Sequence, residues 1–168
     1  MRVRDFLLPL CMNILQATAP VVYRAWGRGE KTSFCVLTGR SLAVAVVCVV
    51  VPSAVVFAEA PRLVGLWLSD AVPPQLVTFV RCSLIGLVAD ALSQPLTVAI
   101  NASGRVALYQ VVASSLSAAG FLVAWAFLAV GFQPWTSMAA VSAANAVSFV
   151  YRYFHVRVLM GQGPKLSP

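Results

Sequence analysis

A chain of 168 residues with 60% hydrophobic and only 10% charged residues has more apolar surface than an interior of that size can hide, which excludes an ordinary soluble globular domain. Its net charge of +7 is scattered thinly between long apolar runs. That pattern argues against a nucleic-acid partner and for the anionic surface of a membrane.

The first apolar run, 6–23 (FLLPLCMNILQATAPVVY), is interrupted by Pro9, Asn13, Gln16 and Pro20, and it reads as a first membrane span. A secretory leader is the alternative, with a basic start at Arg2 and Arg4 and a cleavage-like Ala17-Thr18-Ala19, although Asp5, Pro9 and Asn13 spoil that pattern. Residues 35–58 form the surest span, with a single charge, Arg40, near one end; their length suffices for a hydrocarbon core of ~30 Å at ~1.5 Å per helical residue. Residues 59–74 are too short and too charged to cross. They place Leu63, Leu66 and Trp67 on one helical face, which predicts a short interfacial helix over about 60–69.

Spans at 75–100 and 106–131 follow, joined by the polar turn Asn101 to Arg105 into an antiparallel hairpin. The last span, 135–151, starts after Gln133-Pro134 and is crowded with small residues, which favours close helix contacts. It ends in the aromatic and basic cluster Tyr151-Arg152-Tyr153-Phe154-His155, suited to a membrane interface. The expected fold is all-α, a polytopic bundle of about five spans over residues 1–160 with a cytoplasmic tail at 161–168.

Alternation of these spans gathers Arg24, Arg28, Lys31, Arg40, Arg105, Arg152, Arg157 and Lys165 on one side and Arg2, Arg4 and Arg62 on the other. The richer side is predicted cytoplasmic. The four cysteines, at 11, 35, 48 and 82, form no CxxC pair and lie within or beside apolar runs; His155 is the only histidine and the carboxylates are widely separated. No metal, no cofactor and no enzymatic centre is expected from this set.

Ionisable groups inside spans are the best pointers to function, because each costs ~2.5–3.5 kcal/mol at mid-membrane on insertion scales. Arg81 lies near the outer end of its helix, where it reads either as an interfacial anchor that snorkels outward or as a cavity site for phosphate or a sugar acid. Asp90 is deeper, and a short carboxylate cannot snorkel from there. Gln94 falls one turn later on the same face, so the pair makes a polar strip that either lines a cavity or bonds to another helix. Arg81 falls on the opposite face from Asp90. Pro95 frees the carbonyl of Ala91 beside this strip. Ser114, Ser115, Ser117 and Asn145 read as polar glue between helices.

A succession of short features suggests a family. Residues 20–31 (PVVYRAWGRGEK) are followed by Gly65-Leu66-Trp67-Leu68, Val72-Pro73, Phe79-Val80-Arg81, Leu92-Ser93-Gln94-Pro95-Leu96, Asn101-Ala102-Ser103-Gly104-Arg105 and Tyr109-Gln110. In order and spacing the chain resembles the polysaccharide, or lipid-linked oligosaccharide, flippases of the multidrug/oligosaccharidyl-lipid/polysaccharide exporter superfamily. The resemblance covers about residues 6–160 and matches the middle-to-late helices of a bundle of about twelve to fourteen, built as two halves around a central cavity. It implies a multi-pass protein of the bacterial inner membrane that is a fragment relative to the family. Its expected partners are a lipid-linked oligosaccharide, membrane lipids and a chain carrying the missing half. Asp90, Gln94 and Arg81 become cavity candidates on the same ground. A cation-coupled multidrug antiporter fragment and a non-transporting remnant or assembly partner are the competing readings.

Overall fold

The structure, a computed structural model, describes residues 17–68, 73–104 and 106–162. The N-terminal part of the expected first span, the leader-like start, Arg105 and the tail beyond 162 lie outside the described residues. Every described segment longer than a turn is helical. Helix α1 occupies 17–27; α2 (Lys31–Ala45), a π-turn (Val46–Val50) and α3 (Val51–Leu68) follow without interruption; α4 (Pro74–Ala102), α5 (Val106–Ala129) and α6 (Pro134–Gln162) complete the set.

Glycine supplies the left-handed residue where α1 and α5 stop. Gly29 has φ 73°, and the Glu30 and Gly29 amides donate to the Ala25 and Trp26 carbonyls, both at 3.0 Å. This is the paired C-terminal cap that only a residue free of Cβ crowding closes cheaply. Gly131, with φ 85°, repeats it: the Phe132 amide donates to the Phe127 carbonyl at 2.9 Å, and the two rings meet at 5.3 Å, the apolar contact that accompanies such caps.

The interfacial helix expected over 60–69 is not a separate element. Its described residues continue α3, with Pro61 inside the helix. Two prolines are accommodated by two devices. Pro52 has no N–H and its ring crowds the carbonyl four residues back, and the helix widens into the π-turn Val46–Val50 directly before it. Pro61 leaves the Phe57 carbonyl without its helix donor, and the Arg81 side chain on α4 takes the donor's place, Nε donating to Phe57 O at 3.3 Å.

Three helices among the described residues are long and apolar enough to cross a membrane: Lys31–Leu66, Pro74–Ala102 and Tyr109–Ala129. The first has 36 residues, about 54 Å at ~1.5 Å per residue, so it outruns a ~30 Å hydrocarbon core. The exposed pair Arg62–Glu59, 2.9 Å apart, lies in its overhang. Helix α6 is also long enough, but Thr136, Ser137, Ser142, Asn145 and Ser148 dilute its apolar content. It runs between α4 and α5 and makes its most extensive contacts with those two helices, and a helix flanked by protein needs fewer lipid-compatible residues than one facing lipid.

The helices contact one another as a row: α2 and α3 lie on α4, α4 on α6, and α6 on α5. Gly86 permits the α4–α6 approach, since an added Cβ there would come within 2.7 Å of Ser142 Oγ. That hydroxyl instead donates to the Cys82 carbonyl at 2.6 Å. Gly120 does the same for α5, where a Cβ would collide with Ala144. Large apolar side chains remain uncovered on this row, among them Phe121, Leu122 and Trp125 at 64%, 66% and 70% exposure. Such a continuous apolar face suits hydrocarbon and not water.

One apolar cluster joins Val22, Phe34, Leu96, Ile100, Tyr109 and Val156, and so ties α1, α2, α4, α5 and α6 together. Lys31 Nζ donates to Gly161 O at 2.9 Å at the same end. The turn after α1 and the end of α6 are therefore neighbours.

Candidate functional site

Asp90 and Gln94 lie side by side on α4, one turn apart and both partly buried. Gln94 Nε2 donates to Asp90 Oδ1 at 3.4 Å, a long contact that leaves most of the carboxylate's accepting capacity unused. Asp90 is ~24 Å along the helix from Pro74 by rise, well inside a helix of membrane-crossing length. Among the described residues it forms no ion pair. The helix runs through Pro95 unbroken, and Ser93 and Thr97 turn their hydroxyls back onto the Ala89 and Ser93 carbonyls at 2.8 and 2.9 Å.

The polar strip is longer than its first two members. Thr97 stands seven residues after Asp90 and therefore shares its face; its hydroxyl meets Tyr109 Oη at 3.4 Å. Tyr109 is 1% exposed and anchors a polar–aromatic cluster. Its ring stacks on Tyr151 at 6.1 Å with 3° between planes, lies 6.2 Å from His155, and has the Arg152 guanidinium carbon 5.7 Å from its centroid. Arg152 also borders an open groove with Gln110, Ser114 and Ser117, so two of the serines expected between helices line free space instead. Neither Thr97 nor Tyr109 is among the site residues expected from the sequence, where Tyr109 enters only in the Tyr109-Gln110 pair of the family resemblance. Thr97 is legible as the i+7 partner of Asp90; nothing local marks Tyr109 as part of the strip, because only the fold brings it under Tyr151 and Arg152.

Arg81 stands apart from this strip. Its Nε bonds Phe57 O, and its guanidinium carbon lies 5.1 Å from the Phe57 ring centroid. Both contacts bind α4 to α3, and they give Arg81 a structural role, since it serves the carbonyl that Pro61 orphans.

Comparison with known families, with curated proteins and with solved structures returns no match.

Proposed function

We propose that this chain is the membrane-embedded part of a flippase-type transporter that moves a lipid-linked oligosaccharide from the cytoplasmic to the outer face of a bacterial plasma membrane. The observation that carries the reading is the strip Asp90–Gln94–Thr97 inside a membrane-length helix, continued by Tyr109 at one end of the bundle. A carboxylate at that depth without a described counter-charge is expensive unless it faces a polar cavity or a polar ligand. Carboxylate, amide and hydroxyl groups in a row are the donors and acceptors that bind sugar hydroxyls. The succession of sequence features that resembles the flippases points to the same class of cargo.

Asp90 would accept bonds from sugar hydroxyls, Gln94 would both donate and accept, and Thr97 with Tyr109 would extend the track toward the predicted cytoplasmic end. Alternating exposure of the strip to the two membrane faces would then carry the glycan across. A drug antiporter is less well supported, because cation coupling asks for several intramembrane carboxylates, and within the described membrane-length helices the only one besides Asp90 is Glu59, which is paired with Arg62.

The test is a translocation assay. The chain is purified from its native membrane, so that any associated helices come with it, and placed in vesicles with a fluorescent polyprenyl-diphosphate oligosaccharide. Loss of fluorescence to an impermeant quencher is expected to proceed faster than in protein-free vesicles and to slow in Asp90→Asn. A rate equal to that of protein-free vesicles would refute the transport reading.

A further inference from the structure

A basic cleft is lined by α1, the turn after it and α2. Val21, Arg24 and Ala25 on α1 and Arg28 in the turn after it fall at i, i+3, i+4 and i+7; on α2, Ser33, Val36, Leu37 and Arg40 do the same. This spacing puts each set on one helical stripe. Between the stripes lies a cavity of about 390 Å³.

Three guanidinium groups surround this cavity, and among the described residues Glu30 is the single carboxylate on its rim. It sits 3.9 Å from Arg28, too far for a strong paired bond, so the cleft keeps a net positive charge. Guanidinium forks match phosphate oxygens two at a time. The walls also carry apolar surface. Val21 and Val36 are 48% and 46% exposed, and with Leu37 they lie beside the charges, Val36 and Leu37 one turn before Arg40 on α2. A free inorganic anion has no use for that surface, whereas an acyl chain does.

We propose that this cleft binds the phosphate headgroup of an anionic membrane phospholipid, with an acyl chain lying along Val21, Val36 and Leu37. The position agrees with the chemistry. The cleft opens beside the α1–α2 turn, at the end of the bundle where Lys31 reaches Gly161 and where the last turns of α6 carry Arg152 and Arg157. Anionic lipids concentrate in the cytoplasmic leaflet, and basic clefts between helices at that level are suited to hold their headgroups. The inference needs only a membrane-embedded bundle and is independent of the cargo proposed above.

The experiment is native mass spectrometry of the full chain, released from detergent after equilibration with an equimolar mixture of phosphatidylglycerol and phosphatidylcholine. Retention of phosphatidylglycerol is expected to exceed that of phosphatidylcholine by roughly tenfold, and Arg24→Gln and Arg40→Gln are each expected to lower the ratio about fivefold. Val36→Trp leaves the charge unchanged but fills the cleft, and should abolish the preference. Arg157→Gln, exposed at the same end but outside the cleft, should keep it. Helix content by circular dichroism accompanies each variant; if an arginine variant fails to fold, Val36→Trp and the salt dependence of the wild-type ratio decide. Equal retention of the two lipids, a ratio indifferent to salt, or an Arg157→Gln loss as large as that of Arg24→Gln would overturn the site. Displacement by equimolar glycerol phosphate would overturn the lipid assignment in favour of a soluble phosphate.

Discussion

Arg81 and Pro61 should be energetically coupled, although they are on different helices. Pro61 removes the N–H that would serve the Phe57 carbonyl, and Arg81 Nε donates to that carbonyl at 3.3 Å. Arg81→Ala therefore removes a charge-assisted hydrogen bond and a cation–π contact at 5.1 Å. The site is exposed, so the lower ends of the ranges apply: about 1–1.5 kcal/mol for the bond to a carbonyl that then has no protein donor, and about 0.5 kcal/mol for the ring contact. The single variant should lose about 1.5–2 kcal/mol.

In a Pro61→Ala background the backbone gains an N–H at position 61 that can donate to Phe57 O within the helix. Only the ring contact is then lost, and Arg81→Ala should cost about 0.5 kcal/mol, a coupling of about 1 kcal/mol between the two positions. Pro61→Ala alone should be neutral or stabilising, since proline inside a helix is unfavourable. Reversible unfolding of the four chains in mixed detergent micelles, followed by helical circular dichroism, gives the cycle. A coupling within about 0.3 kcal/mol of zero, with both single variants folded, would refute the carbonyl-rescue account.

Asp90→Asn should leave folded yield and unfolding midpoint unchanged within about 0.5 kcal/mol, because the asparagine oxygen still accepts from Gln94 and no described counter-ion is stranded. Oligosaccharide translocation should fall; a large loss of stability would instead mean a buried ion pair. Gly120→Ala should destabilise by about 1–3 kcal/mol through collision with Ala144, and Ala144→Gly should restore much of that loss in the double variant; additive losses would place the strain elsewhere. In a chain freed of its native cysteines, an impermeant thiol reagent applied to intact cells should label Gln133→Cys but not Thr32→Cys. The reverse pattern would invert the topology. The intact mass should retain the first 19 residues; a mature chain starting at Pro20 would make the N-terminal segment a cleaved leader.

Much of the architecture was legible because membrane helices announce themselves by length and apolar content, both local properties. Helices at 31–68, 74–102, 106–129 and 134–162 cover the runs expected at 35–58, 75–100, 106–131 and 135–151, with α5 stopping two residues short and the others running longer; the first three, and not α6, are long and apolar enough to cross a membrane. The failure at 60–69 has a physical source. Charged residues and Pro61 argue for a break when read alone, but a helix that continues past the hydrocarbon core meets water, where Glu59 and Arg62 are welcome, and the carbonyl that the proline frees finds Arg81.

The strip Asp90–Gln94 followed from helical periodicity, which fixes which residues share a face before any partner is known. Periodicity cannot tell which face meets which helix. Only the tertiary structure carried the strip through Thr97 to Tyr109, placed Arg152 and His155 around that ring, and set Arg24, Arg28 and Arg40 about one cleft. The sequence by itself determined the class of solvent this chain is made for, because burial of its apolar residues is a matter of composition. Which polar groups meet inside that solvent was decided by the packing of α4 against α6 and of α1 beside α2, where contacts depend on residues far apart in the chain.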